Sequence, residues 1–109
     1  MLIYISCPVV NGDHEMAETR MAKAARLLLD DGHRPAVPAQ TRGDMSEVMS
    51  AAVRDAVNSD GVILLEGWKE DVMCQTVNFV AGKLNKVIMY EDDLLDYGKL
   101  GKKRRPQGD

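Results

Sequence analysis

Tyr4, Ser6 and Cys7 close an apolar run, Leu2-Ile3-Tyr4-Ile5-Ser6-Cys7-Pro8-Val9, and the turn Asn11-Gly12-Asp13 follows it. A phenol, a hydroxyl and a thiol in succession offer hydrogen-bonding groups and one potential nucleophile. A turn that opens a helix offers backbone N–H groups suited to a phosphate or a sugar hydroxyl, although turn chemistry alone selects the same residues. A second cluster, Glu66-Gly67-Trp68-Lys69-Glu70-Asp71, follows another apolar run and carries three carboxylates and the sole tryptophan of the chain. Desolvation at a strand end can tune a carboxylate such as Glu66 toward acid or base work. Asp71 can contact a ligand, cap a helix at the positive end of its dipole, or do both. Trp68 can stack on a flat ring, form a subunit contact or cover the end of a sheet. Tyr4 has a functional reading, its hydroxyl on a ligand, and a structural one, half-buried core.

In an open α/β sheet, ligands bind beyond the carboxyl ends of the strands, where loops leave the sheet and helices begin. Both clusters belong at that edge, so they are expected to wall a single pocket. Tyr4, Ser6, Cys7, Pro8, Asn11, Gly12 and Asp13 form one side, with Glu66, Gly67, Trp68 and Asp71 on the other. Other chemistries find no support. His14 and His33 are too few and too far apart for a metal motif, no Cys/His spacing resembles a zinc site, and the Gly-rich nucleotide fingerprints are absent. No metal and no cofactor is expected.

The elements that position these residues follow from periodicity. Residues 2–6 read as a buried strand. Asp13 is an N-cap for a helix with Ala17, Met21, Ala24 and Leu28 on one face, and Gly32 ends it. A short strand at 33–37, interrupted by Pro35 and Pro38, suits a sheet edge. Asp44 and Glu47 have capping-box spacing ahead of a stripe of Met45, Met49, Ala52, Val53 and Ala56. Residues 61–65 form a doubly covered strand, Met73, Val77, Val80 and Leu84 a further helical stripe, and 86–90 the last strand. The alternation predicts a Rossmann-like α/β/α domain, residues 1–97, with about four parallel strands and right-handed crossovers.

The chain has 109 residues, 45% hydrophobic and 28% charged, with a formal net charge of −3. That is the profile of one globular domain, and it gives no reason to expect nucleic acid or a membrane as the partner. The apolar start lacks a basic flank and is too short for a signal or a span, so a cytoplasmic, reducing setting is expected, with Cys7 and Cys74 as thiols. Residues 98–109, with Lys99, Lys102, Lys103, Arg104 and Arg105, read as a basic, disordered tail.

Leu2 to Pro8 and the Gly67-Trp68 loop resemble the nucleoside 2-deoxyribosyltransferase-like family, in its short phage and bacterial branch. That branch opens on a strand reading roughly I-Y-I-S-G-P, and a later strand runs into G-W, an acidic residue and, six positions on, a helical glutamate. The resemblance spans roughly residues 2 to 90 and implies a nucleoside or nucleotide ligand, a tyrosine and an acid, Tyr4 and Asp71, contacting it, and a homo-oligomer built through flanking helices. The departures lie in the active-site half. Counting six from Asp71 puts Val77 at the nucleophile position, Cys7 replaces the motif glycine, and Ala52 stands where an aspartate belongs, eight residues before Asp60. The expectation is therefore a degenerate scaffold that binds a nucleoside, nucleotide or related ribosylated ligand, with Val77 at the pocket wall. Two alternatives remain: N-glycosidic cleavage or base transfer by a relocated carboxylate (Glu66, Glu70 or Asp71), and a non-catalytic interaction module.

Overall fold

The computed structural model describes residues 1–38 and 41–94; the basic stretch 98–109 lies outside them. Strands β1 (Leu2–Ser6), β2 (Arg34–Ala36), β3 (Gly61–Leu64) and β4 (Val87–Tyr90) alternate with helices α1 (His14–Asp30), α2 (Met45–Val57) and α3 (Val72–Lys83), and a 3-10 turn, Trp68–Glu70, precedes α3. All strand pairs are parallel, in the order β2-β1-β3-β4. The structure thus has the expected small Rossmann-like α/β architecture.

Side chains alternate across the two inner strands, as period-two geometry requires. Ile3, Ile5, Ile63 and Leu65 join Met89 against Ala17, Met21, Ala24 and Leu28 of α1. Tyr4, Val62 and Leu64 lie on the opposite face, against Ala52 and Ala56 of α2 and Val77 and Ala81 of α3. Each large aliphatic side chain so buried contributes about 1.5–3 kcal/mol. The ends of α1 match the sequence reading. Asp13 accepts the Met16 N–H at 3.0 Å, and beyond Asp30 the N–H groups of Gly32 and His33 return to the carbonyls of Leu29 and Leu28 in a Schellman motif.

Three local expectations need correction. The capping box of α2 does not form: Asp44 makes no side-chain bond to the helix backbone and instead accepts the Ser46 hydroxyl at 2.5 Å. Met45 and Leu84, expected in core stripes, are exposed, while Ala51, Cys74 and Ala81 are buried. Small residues let α2 and α3 approach the sheet and each other closely, so the alanines rather than the bulkier side chains decide which face turns inward. The outer strands are each shorter than read, by one residue at β4 and two at β2, where Pro35 lies in the edge strand.

Candidate functional site

The chain leaves β1 for α1 over one face of the sheet and leaves β3 for α3 over the other. These neighbouring strands therefore diverge at their carboxyl ends, the position where open α/β sheets form a crevice. A cavity of about 480 Å³ occupies it. Tyr4, Ser6 and Cys7 enter from β1, and Glu70 and Asp71 from the segment after β3. The first residue of each long helix, His14, Met45 and Val72, also lines it. Three helix N-termini, each carrying the positive end of a dipole, thus surround one space, together with the guanidinium-bearing Arg42.

Tyr4 is buried rather than half-buried, as the core reading has it in stronger form, and it also lines the cavity. Burial, followed by the charges of Asp55 and Cys74, raises its phenol well above the ordinary range. Burial also pushes Cys7 up to about 11, with Arg20 opposing and Glu91 and Asp71 adding to the rise. Cys74, beneath the same wall, is pushed up to about 12 by burial, with the Ser6 hydroxyl opposing and Asp71 contributing. Both sulfurs are therefore neutral thiols near pH 7, and Cys7 is not a poised nucleophile. Iodoacetamide should label Cys7 slowly at neutral pH, with the rate climbing about tenfold per pH unit toward 11. Mass spectrometry across a pH series checks this, and neutral-pH labelling as fast as that of free cysteine would contradict it.

Asp71 serves α3 directly. Its Oδ1 accepts the Cys74 N–H at 2.9 Å, an N-cap at the rim of the cavity. His14, on the opposite rim, has a buried Nδ1 without a hydrogen-bond partner among the described residues. Buried polar atoms are nearly always satisfied, so such an atom beside a cavity marks a place for a ligand or water contact.

The single pocket expected from the sequence is divided. Gly67, at φ 95°, turns the chain into the 3-10 turn, a backbone conformation that suits glycine. Glu66, Gly67 and Trp68 consequently line a second cavity, of about 360 Å³, with Tyr90, Glu91 and Asp92, and Glu70 alone among the carboxylates borders both. The backbone of Glu66 is fixed there: its N–H donates to Glu91 Oε1 at 2.7 Å, and its carbonyl accepts from Arg20 Nη2 at 2.8 Å. Arg20 also pairs with Glu91 at 2.9 Å. Pro8, Asn11 and Asp13 line a third recess, beside Arg20. Val77, expected at the pocket wall, is fully buried among Tyr4, Ala52 and Val62, and the α3 residues that reach the main cavity are Val72 and Met73.

The sequence points to neither Arg42 nor Val48 as a site residue, assigns Met73 only to a helical stripe, and raises His14 only as a metal ligand. The first residues of α1 and α2 were findable, because every helix of a parallel sheet begins at the carboxyl edge. Among the described residues no group of three or more His, Cys, Asp or Glu side chains is placed to hold a metal ion, and no helix is long and apolar enough to cross a membrane. No family model, curated protein or solved structure matches the chain.

Proposed function

We propose that the chain binds a nucleoside, nucleotide or related ribosylated ligand in the cavity between the ends of β1 and β3, without cleaving its glycosidic bond. The observation that carries this reading is the cavity itself, whose volume of about 480 Å³ falls within the range of small-molecule sites. Its composition suits the same ligand class. Val9, Met21 and Met73 offer apolar surface for a base, while Ser6, His14 and Arg42 offer hydrogen bonds for a sugar or its substituents. The likeness of Leu2–Pro8 and of Gly67-Trp68 to the deoxyribosyltransferase-like family supports the choice of ligand. Against catalysis stand Val77, which lies in the core, and the two thiols, which burial keeps protonated.

The test is a thermal-unfolding series with 2′-deoxynucleosides and their 5′-monophosphates, with chromatography of the same samples for free base. A ligand at a hundredfold excess over its dissociation constant adds about 2.7 kcal/mol to stability, so a saturable rise in Tm without base release is expected. Base release would overturn the non-catalytic part of the reading and favour Glu70 or Asp71, the carboxylates at this cavity. No stabilisation by any member of the panel would leave an interaction module. Asp71→Asn keeps an N-cap and removes a charge, whereas Asp71→Ala loses the cap at a cost of about 1 kcal/mol. Comparing the two separates the ligand contact of Asp71 from its role in α3.

A further inference from the structure

The second cavity has a chemistry of its own. Its aromatic surface comes from Trp68 and Tyr90, whose ring centroids lie 5.9 Å apart with the planes inclined at 34°. Its charged groups are the carboxylates of Glu66, Glu70, Glu91 and Asp92, from the turn after β3 and the helical residues after β4, against a single lysine, Lys69. Glu91 is committed to Arg20 and to the Glu66 N–H. The carboxylates of Glu66, Glu70 and Asp92 enter no hydrogen bond or ion pair with the described residues, and these exposed residues line the cavity.

One cation is already drawn there. The Nζ of Lys69 lies 5.9 Å from the centroid of the Trp68 ring, at the outer limit of a cation–π contact. An ammonium on an aromatic face with unpaired carboxylates around it is the arrangement that recognises alkylated ammonium groups, which are weakly hydrated and prefer π-faces to water. A volume of about 360 Å³ accommodates a small organic cation.

We infer that the cavity lined by Trp68, Tyr90, Glu66 and Asp92 binds an alkylammonium cation, and that the Lys69 ammonium holds that place until the ligand displaces it. This site shares only Glu70 with the cavity of the proposed nucleoside ligand and does not depend on that reading. The cation can come as a free metabolite or as a methylated lysine side chain, and the two sources share the recognition chemistry.

Because Trp68 is the sole tryptophan, its emission reports on this cavity alone. The experiment titrates the full chain with choline and, in parallel, with its neutral isostere 3,3-dimethylbutan-1-ol, at ionic strength held constant with sodium chloride. A third arm uses a short peptide carrying one trimethyl-lysine. A saturable change with choline, absent with the alcohol, is expected. Lys69→Met should tighten choline binding about fivefold by removing the internal competitor, and Glu66→Gln combined with Asp92→Asn should weaken it about fivefold. Tighter binding of the peptide than of choline identifies a protein segment as the source, and the reverse identifies a free cation. The inference is overturned by a response no larger than that to sodium chloride, by equal responses to choline and the alcohol, or by a Lys69→Met protein of unchanged affinity.

Discussion

Val77→Glu is expected to destabilise the domain by about 4 kcal/mol or more at pH 7, and to install no nucleophile. The substitution places a glutamate at the position where the family resemblance expects one. Val77, however, is fully buried within an apolar cluster that includes Tyr4, Ala52, Val62 and Ala81. Its neighbours there supply no cation, so the new carboxyl would titrate above its usual range in the folded state. The sign follows. The part of the penalty due to charge is complete above that raised folded-state pKa, shrinks as pH falls through it, and vanishes below the unfolded value near 4.3, leaving the cost of a neutral polar side chain in an apolar site. Val77→Gln, similar in size and uncharged, should lose less and show no such pH dependence. Urea denaturation of both variants between pH 4 and 8 checks this, and equal losses at every pH would refute a buried charge as the cause. Met73 lines the cavity one helical turn earlier, so Met73→Glu should present a carboxylate to the same space with far less loss of stability.

Gly61→Ala should cost about 3 kcal/mol, at the upper end of ordinary overpacking. Gly61 pairs with Ile3 on one side and Val87 on the other. A Cβ there would lie 2.8 Å from the Val87 carbonyl oxygen and 2.9 Å from the Val87 Cβ, with Ile3 Cδ1 at 3.1 Å. The first obstacle is backbone, which cannot rotate away as a side-chain tip can, so the β3–β4 pairing itself must move. Gly82 in α3 supplies the opposite case, since a Cβ there meets nothing within 4 Å. Gly82→Ala should therefore stabilise by about 0.5–1 kcal/mol through helix propensity. The denaturation midpoints of the two variants should shift in opposite directions, and a neutral Gly61→Ala would mean that the strands part without penalty.

The architecture was legible because its signals are local. The α1 stripe of Ala17, Met21, Ala24 and Leu28 is the buried face, and Asp13 and Gly32 mark its ends through hydrogen bonds that involve only near neighbours. The stripes of α2 and α3 misled because apolar size is a poor guide where helices pack closely on alanine: Met45 and Leu84 remain outside, while Ala51 and Ala81 go in. The site was legible as an edge and not as a volume. Placing Tyr4, Ser6, Cys7 and Asp71 at the carboxyl end of the sheet needs only strand order. The separation of Trp68 from them depends on the backbone angle at Gly67 and on Arg20 holding Glu66 to Glu91. Those contacts join residues up to 71 positions apart, and no pattern within one segment reports them.

The pairing of β1 with β3 also determines how this molecule reaches its native state. The Leu2 N–H donates to the Asp60 carboxylate across 58 positions of sequence, and the β1–β3 ladder begins beside it, at Ile3 and Gly61. Closing so long a loop must precede any reward from the central ladder, so folding should be slower than in a helical protein of equal length. During synthesis β1 leaves the ribosome well before its inner partner, and Leu2, Ile3 and Ile5 meet only β2 and α1 in the meantime. A nascent chain stalled before Gly61 should therefore be protease-sensitive and dependent on chaperones, whereas one extended past Tyr90 should resist digestion.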